Sequence, residues 1–231
     1  MRVLGIDTST MTGGAALTDD RGLVGEYVLN IRTTHSERLL PAIAQILTDA
    51  ATDMEAIDAI AVVTGPGSFT GLRIGVATAK GFAYALDKQL IGITTFQAFA
   101  WQHQVFSGFI CPLIDAKRAD VYLEIFLHGQ SVQKPKYCSL EWVQNWCREQ
   151  SQPVLFVGDG AFVHKETLAD LNNAVFPSNE GMILHASSVA TLGAELLTQG
   201  ISSDPFGLKP FYLRRSSAEY LHDKVRDTDD R

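Results

Sequence analysis

Two aspartates at the ends of short apolar runs are the residues best placed to bind a nucleotide phosphate. Asp7 ends the run 3–6, and Asp115 ends the run 109–114. The turn after Asp7 carries the hydroxyl residues Thr8, Ser9 and Thr10. A carboxylate at a strand end can hold Mg²⁺ through water, and turn N–H groups can bind phosphate. An aspartate that only accepts hydrogen bonds from its own turn gives the same pattern, and that alternative stays open.

The turn after Asp115 limits what this pair of aspartates can do. It reads Ala116-Lys117-Arg118-Ala119 and contains no glycine. Without glycine, the backbone is not expected to approach a phosphate closely. The sequence therefore predicts weak or vestigial nucleotide binding, with ATP or ADP and Mg²⁺ as the ligands and no required cofactor.

A glycine-rich turn, Gly65-Pro66-Gly67-Ser68-Phe69-Thr70-Gly71, looks like a phosphate loop but fails two tests. A P-loop needs Lys and then Ser or Thr after its last glycine, whereas Gly71 is followed by Leu72 and Arg73. A dinucleotide fingerprint needs its third glycine three residues after the second, and Gly71 comes one residue late. The turn is therefore expected to open a helix, and a dinucleotide-binding protein is the disfavoured alternative.

The helix after this turn carries small residues at a spacing of four. The first small row is Gly71, Gly75, Ala79 and Ala83, and the second small row is Ala77, Gly81 and Ala85. Glycine inside a helix costs roughly 0.5–1 kcal/mol relative to alanine, so these positions indicate a close approach by another element. Because the helix is apolar nearly all round, we predict that a subunit interface covers it. Packing of the first small row on the protein's own sheet is the alternative.

The charge balance argues against a protein that binds nucleic acid by itself. The chain has 19 Lys and Arg against 26 Asp and Glu, for a formal net charge of −7. Phosphate backbones are bound through clustered basic residues, but here the only adjacent pairs are Lys117-Arg118 and Arg214-Arg215. An acidic protein that docks on a more basic partner remains open.

Cysteines and histidines are not arranged as a metal or disulfide site. The three cysteines are far apart without a CxxC, and the six histidines form no HExxH or HxxxH pair. A metalloprotease is therefore not supported. The chain shows no signal peptide and no apolar stretch approaching the ~18 residues that span a bilayer, so we expect a cytoplasmic protein without a membrane segment.

The order of apolar runs repeats across the two halves of the chain. Each half reads strand, strand, strand, helix, strand, helix, and the first strand of each ends in aspartate just before a hairpin. This repeat predicts an α/β protein of two similar lobes facing a cleft, residues 1–106 and 107–215. A later helix covers about 187–198, and residues 216–231 are expected to be a polar, flexible tail.

Several motifs closely resemble the TsaB (YeaZ) family. They are VLGIDTST at 3–10, HSERLLP at 35–41, GPGSFTGLRIG with VATAKG at 65–81, IDAKR at 114–118 with Val121-Tyr122, and Tyr212-Leu213-Arg214. The resemblance is specific over residues 3–126 and diffuse beyond them. It implies the actin-like ASKHA fold, related to ribonuclease H, which agrees with the two-lobe prediction. In that fold Gly158 and Gly160 match adenosine-facing glycines, although a strand-to-helix turn explains them equally well.

The resemblance also implies a function. A family member takes part in forming N6-threonylcarbamoyladenosine beside the anticodon of tRNAs that read codons beginning with adenine. Its partners are the TsaD-type catalytic paralogue and the TsaE-type ATPase, it is a homodimer when alone, and tRNA is contacted through the complex. The implied partner interface lies on the helices 36–50 and 71–86, and its residues are Leu39, Leu40, Ile43, Gly71, Leu72, Gly75, Ala79, Phe82 and Ala83. The vestigial nucleotide site comprises Asp7, Thr8, Ser9, Asp115, Gly158 and Gly160.

One departure decides between a catalytic and an accessory role. TsaD-type proteins carry a metal-binding His-x-x-x-His, and the matching place here is Thr95-Phe96-Gln97-Ala98-Phe99. Neither Thr nor Phe replaces an imidazole ligand. We therefore predict a non-catalytic scaffold with no metal site. The alternative is an active ASKHA-type ATPase or kinase that uses Asp7 and Asp115.

Overall fold

The chain folds into two five-stranded mixed sheets with helices packed on them, in a computed structural model that describes residues 1–31 and 34–214. The first half contains β1 (Val3–Asp7), β2 (Gly13–Asp19), β3 (Gly22–Leu29), α1 (His35–Asp49), β4 (Ala59–Gly65), α2 (Phe69–Ala85), β5 (Gln89–Thr94) and α3 (Thr95–Gln102). The second half contains β6 (Phe109–Asp115), β7 (Asp120–Leu127), β8 (Gln130–Ser139), α4 (Leu140–Arg148), β9 (Val154–Val157), α5 (Asp159–Val163), α6 (Lys165–Ala169), β10 (Ala174–Val175) and α7 (Ala186–Thr198). Short 3₁₀ turns lie at Met54–Ala56 and Glu180–Met182.

The two sheets have the same strand order. The first is β3-β2-β1-β4-β5 and the second, written in the same sense, is β8-β7-β6-β9-β10. In each sheet the first strand pairs antiparallel with the next strand of its hairpin and parallel with the strand after the helix. The predicted two-lobe α/β class is confirmed. The last helix in the predicted order of the second half is divided into two short helices, α5 and α6, which His164 separates.

The central strands of the first sheet need cover on both faces, because every residue of β1 and β4 is buried. Helices α1 and α2 cover one face, and α7 covers the other. The backbones are close where α7 crosses: a Cβ at Gly193 would lie 2.5 Å from the Cβ of Ala61. Helix α7, which falls within the range 107–215 predicted for the second lobe, therefore packs on the first lobe.

The segment after α7 also returns to the first lobe. The Ser203 N–H donates to the Leu90 carbonyl at 2.7 Å, and the Phe211 N–H donates to the Thr64 carbonyl at 2.7 Å. The predicted tail, residues 216–231, lies outside the described residues. Within residues 1–31 and 34–214, no helix combines the length and the apolar character that crossing a membrane requires.

Two N-terminal caps fix the helices that face the cleft. The Glu37 carboxylate accepts the Thr34 N–H at 3.1 Å, so α1 begins at a capping box. The Ser68 hydroxyl accepts the Gly71 N–H at 3.2 Å and opens α2 directly after the glycine-rich turn. Helix α3, which the sequence pattern did not predict, begins where the Thr94 hydroxyl accepts the Gln97 N–H.

Candidate functional site

A cleft of about 620 Å³ lies between the two lobes. The hairpin turn after β1, the turn after β6, and the N-terminal ends of α1 and α2 all open into it. The residues that line it are Ser9, Thr10, Met11, Thr34, His35, Ser36, Arg38, Gly67, Ser68, Thr70, Gly71, Ile74, Ile114, Asp115, Lys117 and Asp159. The structure therefore brings the two predicted turns to one cleft.

Asp7 is buried at the base of the first turn. Its Oδ1 accepts the Ser9 N–H at 2.8 Å, while its Oδ2 has no hydrogen-bond partner among the described residues. Burial raises the pKa of Asp7 to about 6, and this effect outweighs the hydrogen bond from Ser9 and the positive charge of Arg38. A carboxyl group that titrates so near neutrality is a weak ligand for Mg²⁺ below that pH.

The glycine-rich turn packs directly on the first hairpin turn. The Ser68 N–H donates to the Ser9 carbonyl at 2.6 Å, and the Thr8 hydroxyl donates to the Gly71 carbonyl at 2.8 Å. A Cβ at Gly67 would lie well inside 3.0 Å of the Ser9 backbone, so glycine is required there for packing. The Thr8 hydroxyl is therefore committed to a backbone carbonyl. Thr8 is also fully buried, and its role in a nucleotide site stays a prediction.

Two residues of α1 fill the other side of the same turn. His35 Nε2 lies 2.7 Å from the Thr10 carbonyl, and Arg38 donates to the Met11 carbonyl and, at 2.8 Å, to the Leu29 carbonyl. Arg38 also lies 2.9 Å from Nδ1 of His35. Burial lowers the pKa of His35, and Arg38 adds to this effect, so the ring is a neutral donor to Thr10. Sequence reasoning did not place Arg38 at this site, because it is too far from the turn along the chain for a local pattern to link the two.

The second turn is built differently. Asp115 accepts the Lys117 N–H at 2.9 Å and pairs with the Lys117 ammonium at 2.5 Å. Burial raises the pKa of Asp115, but the contacts with Lys117 outweigh burial and lower it overall. Lys117, Arg118 and Ala119 have positive φ angles of 67°, 56° and 63°, a conformation that the sequence pattern did not suggest for residues other than glycine.

Gly158 and Gly160 have a packing role and do not face the cleft. Gly158 has φ +92°, and a Cβ there would lie 2.5 Å from the Leu113 carbonyl; at Gly160 it would lie 2.9 Å from the same backbone. The strand-to-helix turn accounts for both glycines, and their part in a nucleotide site stays a prediction. Asp159, which lies between them, does line the cleft, and it accepts the Asp115 N–H at 3.1 Å.

The first small row faces the interior of its own lobe. Cβ atoms at Gly71 and Gly75 would lie well inside 3.0 Å of Thr8, so these glycines let α2 approach β1. Ala79 is fully buried and Ala83 is 2% exposed. The lobe already covers several members of the predicted interface, and their role in binding a partner stays a prediction. Those members are Leu39, Ile43, Gly71, Leu72, Gly75, Ala79 and Ala83.

The second small row faces outward. Ala77, Gly81 and Ala85 are exposed, and a Cβ at Gly81 would meet no atom within 4 Å. Leu40 on α1 is 52% exposed, and Phe82 is partly exposed at the edge of the first-lobe core. Of the predicted interface residues, the structure thus leaves Leu40 and Phe82 accessible. We call the surface of Leu40, Ala77, Gly81, Phe82 and Ala85 the outer helix face.

Among residues 1–31 and 34–214, no three His, Cys, Asp or Glu side chains are grouped so that they could hold a metal ion. The place that matches the TsaD-type histidines is part of the core. The Thr95 hydroxyl donates to the Pro66 carbonyl at 2.6 Å, while Phe96 and Phe99 are at most 1% exposed. These side chains hold α3 against the glycine-rich turn.

Two lobes with this strand order, facing a common cleft, define an actin-like protein of the ASKHA type. The crystal structure of the ethanolamine utilization protein EutJ from Carboxydothermus hydrogenoformans has this fold at 10% identity, with a TM-score of 0.55 over 82% of this chain and 89% of that chain. A closer match is an uncharacterized Pseudomonas aeruginosa protein described as similar to the peptidase YeaZ. Its TM-score is 0.77 at 25% identity, over 92% of this chain and 99% of that chain.

Sequence comparison identifies the family within this class. The family model for TsaD, tRNA N6-adenosine threonylcarbamoyltransferase, matches residues 23–221. The tRNA threonylcarbamoyladenosine biosynthesis protein TsaB of Bacillus subtilis (strain 168) is 33% identical over 95% of this chain and 96% of that protein. The chain belongs to the TsaB (YeaZ) family.

Proposed function

We propose that the chain is a non-catalytic partner of a TsaD-type threonylcarbamoyltransferase and is needed to form N6-threonylcarbamoyladenosine in tRNAs that read codons beginning with adenine. The names of its relatives support the role in this biosynthesis. The partner binds at the outer helix face, a TsaE-type ATPase joins the assembly in the cytoplasm, and tRNA is contacted through the complex. Without its partner the chain pairs with a second copy through the same face.

The observation that carries this proposal is the contrast between the glycines of α2. Gly71 and Gly75 are explained by the close approach of β1, whereas Gly81 has open space in front of it. A helix that contains Gly81 in place of alanine loses roughly 0.5–1 kcal/mol with no internal contact to offset the loss. A partner helix that packs closely on the outer helix face would explain why glycine is present at position 81, because small residues allow short interhelical distances.

The surroundings of Gly81 suit a protein partner. Leu40 and Tyr84 expose 52% and 69% of their surface, and Ala77 and Ala85 add small apolar side chains between charged and polar neighbours. Interfaces of this kind have an apolar centre in which aromatic residues are enriched. The filled turn beside Ser9 and the core packing of Phe96 and Phe99 favour an accessory role over catalysis by this chain.

The test is reconstitution of tRNA modification from purified TsaD-type and TsaE-type partners with this chain. We expect modification to require the chain. Ala77→Arg should weaken binding to the catalytic partner roughly 30-fold or more, because it places an unpaired charge at the centre of the interface. The matched control is Ala169→Arg, which makes the same change on the exposed end of α6.

At a concentration at which the wild type is monomeric, both variants should keep its unfolding temperature, since both sites are exposed. Binding and modification should be lost in Ala77→Arg and kept in Ala169→Arg. Light scattering of the isolated chain should show a dimer that Ala77→Arg converts to a monomer. Equal partner binding by Ala77→Arg and wild type would refute the outer helix face as the interface, and modification without the chain would refute the accessory role.

A second candidate is an ASKHA-type ATPase or kinase that uses Asp7 and Asp115. It is favoured by one observation: Oδ2 of Asp7 is buried without a partner directly behind the cleft that Asp115 lines. Calorimetric titration with Mg-ATP decides the matter, with Asp7→Ala and Asp115→Ala as controls. Tight binding that both substitutions abolish, together with turnover, would favour this function over the accessory one.

A further inference from the structure

A second groove lies between the lobes at the end of the second sheet that is remote from the cleft. Its volume is about 520 Å³, and α3, α7 and the hairpin of β7 and β8 enclose it. Trp101 on α3, Phe126 on β7 and Leu196 on α7 give it apolar walls, and Gln97, Gln104, Gln130 and Gln199 supply amide groups at its rim. None of these residues takes part in the cleft or in the outer helix face.

Two carboxylates line this groove, the exposed Glu195 on α7 and the buried Glu124 on β7. Side chains alternate along β7, so Glu124 shares a face with Tyr122 and Phe126, and Phe126 belongs to the core between the lobes. The pairing of β7 with β8 shifts register on both sides of Ile125, so the ladder is irregular beside Glu124. Irregular pairing of this kind re-aims side chains, and here it accompanies a carboxylate where the strand pattern calls for an apolar residue.

The carboxylate is buried but only half satisfied. Glu124 is 7% exposed, and its Oε1 accepts the Ser131 hydroxyl at 2.6 Å. From residues 1–31 and 34–214, no hydrogen bond and no ion pair within 4.0 Å reaches Oε2, although Lys134 lies at the rim of the groove. Burial raises the pKa of Glu124, against the effects of Ser131 and Lys134. Oε2 is not among the fully buried unpartnered atoms of the described residues, so it is open to the groove, where a ligand that supplies a cation can pair with it.

We propose that this groove binds a guanidinium group on an aliphatic stem, with Glu124 as its counter-ion. Among the described residues, the buried Glu124 and the exposed Glu195 are too few ligands for a metal ion, but one buried carboxylate beside amide and apolar groups suits an organic cation. The cation would pair with Oε2, its remaining N–H groups would donate to the glutamine carbonyl oxygens, and its stem would lie along the apolar walls. The indole of Trp101 adds a surface on which a planar guanidinium stacks.

Two-dimensional NMR of the isotope-labelled full chain tests this proposal through the indole N–H of Trp101, assigned with Trp101→Phe. Trp142 and Trp146 lie on α4, away from the groove, and serve as internal references. The probes are Nα-acetyl-arginine methylamide, its neutral isostere Nα-acetyl-citrulline methylamide, and agmatine. Glu124→Gln keeps the shape and the acceptor for Ser131, and Glu166→Gln removes the same charge from an exposed place on α6.

We expect a saturable shift of the Trp101 signal with a guanidinium probe and none with the citrulline probe. Glu124→Gln should weaken binding roughly tenfold or more, whereas Glu166→Gln should leave it unchanged. Lys134→Gln should bind at least as tightly as wild type, since it removes a competing cation. Preference for the capped arginine would point to a protein side chain as the natural ligand, and preference for agmatine to a free small molecule. Equal shifts with arginine and citrulline, or unchanged binding by Glu124→Gln, would overturn the proposal.

Discussion

Alanine at Gly75 and alanine at Gly81 should change stability in opposite directions, although both glycines lie in the interior of α2. At Gly81 the new methyl group meets no atom within 4 Å, so only helix propensity acts. Gly81→Ala should therefore raise the free energy of unfolding by roughly 0.5–1 kcal/mol. The outward position of Gly81 makes this gain independent of the core.

At Gly75 the same methyl group would lie well inside 3.0 Å of the Thr8 hydroxyl oxygen, which already donates to the Gly71 carbonyl. Overpacking of this kind costs about 1–3 kcal/mol, and displacing the hydrogen bond adds about 1 kcal/mol. These costs exceed the same gain in helix propensity. Gly75→Ala should therefore lower the free energy of unfolding by about 1–3 kcal/mol.

The assay is chemical and thermal unfolding at a protein concentration at which light scattering shows a monomer, so that pairing through the outer helix face does not contribute. Under these conditions 1 kcal/mol corresponds to roughly 2–4 °C for a chain of this size. A double-mutant cycle identifies the cause of the loss. Thr8→Ala removes the oxygen that the Gly75 methyl group meets, so the double variant should be more stable than the sum of the single changes implies. A Gly75→Ala variant that is as stable as Gly81→Ala would refute the close approach of α2 to β1.

Three further predictions concern pH and packing. Burial raises the pKa of Asp7 to about 6, so the folded state favours the protonated form of this carboxyl group. The contribution of Asp7 to the free energy of unfolding should therefore fall by roughly 3 kcal/mol as pH rises from about 4 to about 6. Urea titrations at each pH should show this fall in the wild type and not in Asp7→Asn. Glu26 accepts the Ser187 N–H at 2.9 Å and lies 3.1 Å from His185. Despite burial, these contacts lower the pKa of Glu26, and Glu26 raises the pKa of His185. The pair should therefore stabilise the docking of α7 most between about pH 4.5 and 6.5, where both side chains are charged. Hydrogen exchange of α7 should therefore slow in that window and lose its pH dependence in Glu26→Gln. Gly158→Ala should cost about 2 kcal/mol or more in unfolding experiments, since it combines φ +92° with a contact 2.5 Å from the Leu113 carbonyl.

The repeated order of elements could be predicted from the sequence because it rests on local patterns. Apolar runs, hairpin turns and the Thr34 capping box each act within a few residues, and the same order in two halves reinforced each assignment. Helix α3 lacked such support, because the Thr94 cap on it follows directly from the end of β5 without a loop. A strand that runs straight into a helix leaves no turn residues to mark the change.

The functional surfaces depended on contacts that periodicity does not specify. Spacing of four identified both small rows of α2, but a helix that is apolar nearly all round does not show which row faces the sheet. The position of Thr8 decided this, and Thr8 precedes Gly71 by 63 residues. The same holds for Arg38, which donates to the Met11 carbonyl 27 residues away, and for the second groove, whose walls come from α3, β7 and α7.

The crossing of α7 onto the first sheet has a consequence for how the protein is made. During synthesis the strands β1 to β5 leave the ribosome long before α7, whose last residue is Thr198. One face of that sheet stays open to solvent until then, and Ser203 and Phe211 must follow before the edge contacts close. The nascent first lobe is therefore a state with an exposed apolar sheet face, of the kind that chaperones bind. A fragment that ends at residue 106 should remain in that state permanently.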